Sequence, residues 1–311
     1  MRALLCPASL KGVLGARAAA AALAEGVRSA GGEAVELPVA DGGEGTADVF
    51  HAALDGEWRS AVVSDPLGRR VQARWVLFHH GLAVVEAAAA IGLPLLPPGR
   101  RDPFHANSRG LGELVLAALE SSPDSLVVGL GGTATVDGGA GLRTVLDALP
   151  VPTVALCDVT TRLADAARVF GPQKGASPED VVELERRLLG MEELRPFAEL
   201  PGSGAAGGVG AALAALGAEL VAGAATVLDL VGFDQRLAAC DVVVTGEGVV
   251  DATTFAGKAP GEVASRARTA HKRCVIFGGR VEVELDDVET VALSGDPARA
   301  RSDLVALGRR L

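Results

Sequence analysis

The segment Pro38–Thr46 (P-V-A-D-G-G-E-G-T) places two carboxylates, Asp41 and Glu44, among three glycines. An apolar run precedes it and a helical pattern follows it, which predicts a loop at the carboxyl end of a β-strand, where open α/β sheets bind ligands. Carboxylates in such a loop can hold a metal ion, orient a hydroxyl group or accept its proton. For this loop alone, a solvated strand-to-helix turn is the structural alternative.

Lysine is scarce in this chain and adjoins glycine at three of its four positions. Lys11, Lys174 and Lys258 each have a glycine neighbour. A lysine on flexible backbone is a compact point charge that suits phosphate. Ser9, which closely precedes Lys11, is predicted either to lie at a helix N-terminus that attracts anions or simply to cap that helix.

The predicted strand Ser125–Leu130 runs into a glycine-rich segment, Gly131–Gly141. Its start matches the G-x-G-x-x-A pattern of dinucleotide-binding proteins, but Gly138-Gly139 would break the helix that this motif must open. A dehydrogenase is therefore a distant alternative. We expect instead a phosphate or oxyanion cradle of backbone N–H groups with polar side chains beside it. The residues of this cradle would be Gly131, Gly132, Thr133 and Asp137.

A further acidic loop is predicted after the strand Asp241–Thr245, where G-E-G-V-V-D-A-T-T-F-A-G-K carries Glu247, Asp251 and Lys258. Glycine-rich loops that present acids, lysines and amides at strand ends are typical of phosphoryl transfer. Cations hold the phosphates in such sites, and an acid orients or deprotonates the acceptor hydroxyl. Lys258 is followed by alanine, so the P-loop motif is absent and a P-loop NTPase is excluded.

The composition argues against several other classes of protein. The 311 residues carry a formal net charge of −10 and are 49% hydrophobic, with no tyrosine. These values argue against disorder and against nucleic acid as a partner. Four widely spaced cysteines form no C-x-x-C motif, so we expect buried thiols in a reducing cytosol. The N-terminal apolar run is too short for a signal peptide, and the uncharged segment Leu200–Ala218 is too rich in glycine and alanine to favour a membrane. A cytoplasmic location is predicted.

Strands and helices alternate at both ends of the chain and not in the middle. The ends, residues 1–58 and 225–311, predict a discontinuous Rossmann-like α/β domain with a parallel sheet. The middle, residues 59–224, begins with strands at hairpin distance and predicts an inserted α/β domain with a mixed sheet. We expect the active site in the cleft between the two. Within the first domain, helices are predicted at Val13–Ala30 and Thr226–Ala239.

These motifs, in this order, resemble the bacterial two-domain glycerate kinase family of the glycerate 2-kinase type. The resemblance implies ATP- and Mg²⁺-dependent phosphorylation of D-glycerate, commonly at the 2-hydroxyl, on a Rossmann-like domain with a second α/β domain. It implies glycerate and ATP as partners, no nucleic acid and no membrane, and it leaves a homodimer open. The motifs are S-L-K-G, V-A-D-G-G-E-G-T, S-D-P-L-G, G-G-T-A-T-V-D-G-G-A-G, C-D-V, F-G-P-Q-K-G-A, G-S-G-A-A-G-G, T-G-E-G-V-V-D and G-K-A-P-G-E-V-A.

The chain departs from the family pattern in four loops and in one length. Ala8, Val136, Thr160 and Val249 stand where the family usually has Asp, Asn, Asp and Arg. The segment between Gly141 and Pro152 is also much shorter than usual. A second interpretation therefore stays open: a divergent relative that binds a small ligand in the same cleft without turnover, or one that acts on another hydroxy acid.

The loops and the resemblance together give a candidate site. Asp158 or Asp41 would hold Mg²⁺ or act as the base, and Arg101 could bind a carboxylate through two parallel hydrogen bonds. The candidate catalytic residues are Asp158, Asp41, Lys11, Glu247 and Asp251. The candidate substrate- and phosphate-binding residues are Ser9, Glu44, Gly131, Gly132, Thr133, Asp137, Lys174, Lys258 and Arg101.

Overall fold

A computed structural model describes residues 1–283 and 288–311 and confirms the α/β class. The strands are β1 (Arg2–Pro7), β2 (Glu33–Glu36), β3 (Gly56–Ser64), β4 (Arg70–Phe78), β5 (Leu82–Glu86), β6 (Ser125–Gly129), β7 (Thr153–Cys157), β8 (Glu219–Ala222), β9 (Val242–Val250), β10 (Arg273–Val281) and β11 (Glu289–Ala292).

The α-helices are α1 (Ala16–Ser29), α2 (Thr46–Ala53), α3 (Ala87–Ile91), α4 (Arg109–Leu119), α5 (Ala140–Arg143), α6 (Ala166–Phe170), α7 (Pro178–Leu189), α8 (Ala205–Ala215), α9 (Gly223–Leu230), α10 (Phe233–Ala238), α11 (Ala259–Thr269) and α12 (Ala300–Gly308). Short 3₁₀ turns lie at Leu93–Leu95, Pro98–Arg100, Leu163–Asp165, Pro172–Lys174, Glu192–Phe197, Ala252–Phe255 and Pro297–Arg299.

The chain divides into two compact units. Unit 1 comprises Met1–Asp41, Asp48–Leu54 and Ala224–Leu311, and unit 2 comprises Gly42–Ala47 and Asp55–Gly223. The stretch Gly42–Ala47, which we predicted to belong to the first domain, thus groups with unit 2. Backbone contacts explain this grouping, because the Gly131 N–H donates to the Gly42 carbonyl oxygen.

Unit 1 is built on a five-stranded sheet in the order β11-β10-β9-β1-β2, in which every neighbouring pair is parallel. The middle strands are near-continuous apolar runs, as expected for a parallel sheet covered on both faces. The alanine-rich helix α1 covers part of this sheet and packs closely on α12. A Cβ atom on Gly26 would lie 2.2 Å from the Val305 carbonyl oxygen, so glycine is required for this approach.

Unit 2 is built on a six-stranded sheet in the order β3-β4-β5-β6-β7-β8. The pairs β3–β4 and β4–β5 are antiparallel, and β5 to β8 are parallel, which confirms the predicted mixed sheet. One core cluster lies between this sheet and helices α4 and α8. A second, smaller cluster packs α6, α7 and the end of α8 around Leu188.

Two predicted helices of unit 1 differ in the structure. The helix predicted from Val13 begins at Ala16, because backbone hydrogen bonds in both directions between Leu10 and Leu14 tie the preceding residues into a turn. The helix predicted at Thr226–Ala239 is two helices, α9 and α10. Gly232, with φ at +66°, separates them in the left-handed region that favours glycine.

The acidic loop predicted after Thr245 is wrong in its first half. Strand β9 continues to Val250, paired in parallel with an equally extended β10. Two glycines make this extension possible. A Cβ on Gly246 would lie 2.1 Å from the Phe277 carbonyl oxygen, and one on Gly279 would lie 2.8 Å from the Gly248 carbonyl oxygen. Glu247 therefore lies on a strand rather than in a loop.

Candidate functional site

The strand order of unit 1 predicts where a ligand would bind. From β1 the chain continues to β2 on one side, whereas β9 lies against β1 on the other side and leads on to β10 and β11. Loops that leave β1 and β9 therefore diverge, and a crevice opens at their carboxyl ends. Unit 1 has a cavity of about 370 Å³ there. Its polar lining includes Ser9, Lys11, Glu247, Lys258 and Arg280.

Three predicted residues at this edge form one network with a threonine. The Thr254 hydroxyl donates to Glu247 Oε1 at 2.8 Å and accepts the Asp251 N–H at 3.0 Å. Lys258 Nζ lies 3.4 Å from Glu247 Oε2 and 3.8 Å from Asp251 Oδ1. The Asp251 carboxylate also caps the turn that follows β9. The lysine thus holds two carboxylates at the edge of the cavity.

Glu247 is the electrostatically unusual acid of this network. Its side chain is only 14% exposed, and burial raises the pKa of its carboxyl above the ordinary value. The Thr254 hydroxyl and the Lys258 ammonium oppose that shift of the Glu247 pKa, and the Asp41 carboxylate adds to it. Asp41 therefore acts on the same site. A carboxyl group with a raised pKa is a stronger proton acceptor than a solvated one, which suits general-base chemistry.

Gly248 leaves space at the floor of the cavity. A Cβ atom there would meet only the Lys11 amide nitrogen at 3.9 Å and Leu10 Cα at 4.0 Å. The φ of Gly248 is not in the left-handed region, so the backbone conformation does not require glycine here. The missing side chain instead leaves space in the cavity. The backbone of β9 is thereby open to a ligand beside Lys11.

Lys174 belongs to unit 2 and is not displayed to solvent. It is 3% exposed, and its Nζ donates to Thr135 O at 2.8 Å and to Thr133 Oγ1 at 3.2 Å. Burial lowers the pKa of the Lys174 ammonium to about 7, against the opposing pull of the Asp137 and Asp158 carboxylates. The lysine therefore fastens the Gly131–Asp137 segment from within.

Asp137 likewise holds the protein's own groups. Its Oδ2 accepts hydrogen bonds from the Ser108 N–H and hydroxyl, both at 2.8 Å, and from the Gly141 N–H at 3.0 Å, while Oδ1 accepts the Gly139 N–H. This carboxylate closes the loop before α5.

Three N–H groups of the Gly131–Gly141 segment, including that of Gly131, are already accepted by other parts of the protein, and the anion cradle stays a prediction for Gly132, Thr133 and Asp137. Gly131 donates to Gly42 O, Ala134 to Ile91 O and Gly138 to Gly207 O. Gly207 also packs on this loop, since a Cβ there would lie 2.1 Å from Thr135 O. The glycines of Gly202–Gly208 thus serve a close contact between two segments.

The remaining predicted residues lie as follows. Ser9 does not cap α1, whose N-cap is Gly15; it lines the cavity instead. Glu44 is exposed beside Gly132 in unit 2. Asp158 is partly buried at the end of β7 and acts on the charge of Lys174. Arg101 donates to Gln173 O at 3.2 Å, and its buried Nε has no hydrogen-bond partner in the part of the chain that the structure describes.

Within residues 1–283 and 288–311, no group of three or more His, Cys, Asp or Glu side chains could by itself hold a metal ion. This does not conflict with Mg²⁺, which usually retains several waters and binds through one or two carboxylates together with substrate phosphates. In unit 1, Asp41 and Glu247 are carboxylates that could contribute in that way. No helix among the described residues is long and apolar enough to cross a membrane.

Several site residues were missed from the sequence. Thr254 and Arg280 of unit 1, and Ser108 of unit 2, stand among unremarkable neighbours, and their contacts depend on strand pairing and loop packing. Glu86 is a further example, since its carboxylate accepts the Ala47 N–H at 2.5 Å across a long sequence separation. The sequence signal for Glu86 was its position, because it is a carboxylate that directly follows the apolar run of β5.

The fold and the site define a two-unit α/β enzyme with a ligand cavity at the carboxyl ends of a parallel sheet. The sequence pattern of the glycerate kinase family matches residues 3–151 and 146–295, and the chain belongs to that family. The two matched stretches overlap at 146–151, within the segment that the resemblance leads us to expect to be shorter than usual.

Relatives agree with this assignment over most of the chain. The chain is 39% identical to the glycerate 2-kinase of Escherichia coli (strain K12), over 95% of this chain and 88% of that protein. It is 36% identical to the glycerate kinase of Bacillus subtilis (strain 168), over 86% and 82% respectively. The crystal structure of a protein described as glycerate kinase 2 from Salmonella typhimurium LT2 superposes with a TM-score of 0.85 at 33% identity, covering 100% of this chain and 96% of that one.

Proposed function

We propose that this enzyme transfers the terminal phosphoryl group of ATP to D-glycerate, with Mg²⁺, and that the product is 2-phosphoglycerate. The observation that carries the proposal is the Lys258–Glu247–Asp251 network beside Lys11 at the switch point of the unit 1 sheet. Phosphoryl transfer needs cations around the phosphates and an acid at the acceptor hydroxyl, and this edge offers both. Family membership supports the same reaction.

Each residue of the network has a proposed part. Lys11 and Lys258 neutralise phosphate oxygens, as compact point charges do. Glu247 holds the proton that leaves the acceptor hydroxyl, because burial makes its carboxyl a better proton acceptor than a solvated one. The Thr254 hydroxyl keeps Glu247 in place. Asp41 would hold Mg²⁺ as its carboxylate ligand, and the ion would supply charge neutralisation at the phosphates.

The unit 2 residues receive different proposed roles. Arg101 has a spare donor at its buried Nε and is proposed to bind the carboxylate of glycerate. Lys174 and Asp137 are proposed to position the Gly131–Gly141 loop, since their polar atoms already serve that loop. The buried free thiols suit a reducing compartment and support a cytoplasmic location.

The test is turnover of ATP with Mg²⁺ over a panel of hydroxy acids led by D-glycerate, with the position of the product phosphate read by phosphorus NMR. We expect Lys258→Met and Glu247→Gln to lower kcat by about 10²-fold or more. The matched control is Lys272→Met, which changes a lysine whose Nζ bonds the backbone carbonyls of Ala238 and Cys240. Nucleotide binding without turnover on any of the acids would contradict the proposal.

A further inference from the structure

The cavity of unit 1 has an apolar side that the phosphate-binding residues do not explain. We call this side the apolar slot and define it as Leu10, Val13, Val249, Leu293 and Ala300. Val13 is 41% exposed and lines the cavity, so it offers apolar surface there. The slot lies between the turn after β1 and the start of α12, next to Lys11.

Two carboxylates in the far wall of the slot hold that wall in place by accepting hydrogen bonds from its backbone. Asp303 accepts the Ser294 N–H at 3.0 Å, and Asp296 accepts the Ala298 N–H at 2.9 Å to begin the turn before α12. These hydrogen bonds fix the segment from Leu293 to Pro297 before any ligand arrives. A preformed, mostly apolar cavity with a small number of charged groups in its lining is typical of a small-molecule site.

We propose that the apolar slot binds the purine base of the phosphate donor, so that unit 1 holds the nucleotide with its phosphates at Lys11 and Lys258. This inference rests on the proposed function and adds to it which unit and which surface take the nucleotide. Glycerate, a three-carbon polar acid, has no apolar surface to match the slot. A heteroaromatic base does, and a nucleoside triphosphate alone joins such a surface to the negative charge that the two lysines attract.

The volume agrees with this occupant. A cavity of about 370 Å³ falls in the usual range for ligand sites, roughly 300–1,000 Å³. Gly248 supplies the passage between the two ends, because a side chain there would protrude beside Lys11 without disturbing the fold. The Asp296 carboxylate, whose Oδ1 caps a turn, has further acceptor capacity for a ribose hydroxyl.

The experiment measures binding of ATP and of inorganic triphosphate by calorimetry, without glycerate, to the full chain and two variants. Val13→Asn removes apolar surface from the slot without adding charge, and Gly248→Val fills the passage. We expect Val13→Asn to weaken ATP about fivefold or more and to leave triphosphate unchanged, and Gly248→Val to weaken ATP at least tenfold. The matched control is Val182→Asn, at a valine of α7 that is 67% exposed in unit 2.

The outcomes separate this inference from the proposed function. Unchanged ATP affinity in both folded variants would overturn the slot assignment, even if the wild-type enzyme phosphorylates glycerate. Equal loss of ATP and triphosphate in Val13→Asn would also overturn it, because the base would then not be what the slot contacts. Wild-type enzyme that binds ATP in a Val13-dependent way but turns over no hydroxy acid would uphold the slot and remove the proposed function.

Discussion

Glu247 is the proposed proton acceptor of the site. Opposing interactions set the pKa of its carboxyl, and a single substitution can change that pKa. Burial raises the pKa of this carboxyl, and the Thr254 hydroxyl holds it down. Thr254→Val keeps the shape of a fully buried side chain but removes the hydroxyl. We expect the Glu247 pKa to rise further, so that the acid limb of kcat/KM moves to higher pH, because a hydrogen bond that favours the charged carboxylate is lost.

The measurement is a pH profile of kcat/KM for wild type, Thr254→Val and Thr253→Val. The hydroxyl of the neighbouring Thr253 donates to the half-buried Asp251 rather than to Glu247, so its variant should leave the acid limb in place. An unmoved limb in Thr254→Val, with activity retained at high pH, would mean that Glu247 is not the group that must lose its proton.

The burial of Lys174 leads to a prediction about the free energy of unfolding rather than about the rate of catalysis. Its pKa is about 7 in the folded protein and near the ordinary 10.5 when unfolded. Between these values the unfolded chain binds the extra proton, so the free energy of unfolding should rise with pH, by about 1.4 kcal/mol per unit. Denaturant unfolding of wild type and Lys174→Met at pH 7 and pH 8 checks this, because the cysteines, which begin to ionise in the unfolded chain in this range, contribute equally to both proteins. Lys174→Met should remove the part of the slope that Lys174 contributes, and an equal slope in both proteins would refute the assignment.

At the scale of elements, strand and helix types were predictable because their patterns are local. The alternation at both chain ends and the hairpin strands after Trp58 gave the parallel and mixed sheets. The continuation of β9 through Glu247 was not predictable, because G-E-G-V-V-D has the composition of a loop. This segment is a strand because it pairs with β10. The local sequence does not reveal which strand will be the pairing partner.

The same limit applies to the site. Glycine-flanked Lys11, Lys258 and Glu247 were found from sequence, and the structure brings them to one cavity. Lys174 carried the same local signature yet is buried and occupied. Whether a lysine beside a glycine faces a ligand or the interior depends on the packing of segments far apart in sequence, here the contact of Gly207 with Thr135.

The paired extension of β9 and β10 can be tested directly. In Gly246→Ala, the new methyl group would lie 2.1 Å from Phe277 O, so the strands must separate where Glu247 is held. We expect a loss of about 2 kcal/mol or more in the free energy of unfolding, together with most of the activity. Gly99→Ala is the matched control, because a Cβ on Gly99 would meet no described residue within 4 Å and its φ is ordinary. Wild-type stability in Gly246→Ala would show that this close approach is not required.

For the whole molecule, the predicted residues divide between two units. Unit 1 holds Ser9, Lys11, Asp41, Glu247, Asp251 and Lys258, and unit 2 holds the rest. The expected position of the active site between two domains stays a prediction. The division allows a test of which ligand binds to each unit. A bound ligand slows the exchange of backbone amide hydrogens in the unit that it contacts.

Amide hydrogen exchange measured with and without ATP shows which unit the nucleotide contacts. With saturating ATP and no glycerate, slower exchange is expected at residues 8–15, 247–258 and 293–300 of unit 1, because these segments line the cavity and the nucleotide would hold them closed. Segments 131–141 and 172–176 of unit 2 should change little, since several of their amides already have acceptors within unit 2 and Lys174 fixes the first segment from within. Protection by ATP confined to the unit 2 segments would transfer the nucleotide to that unit and leave the lysines of unit 1 without their proposed charge partner.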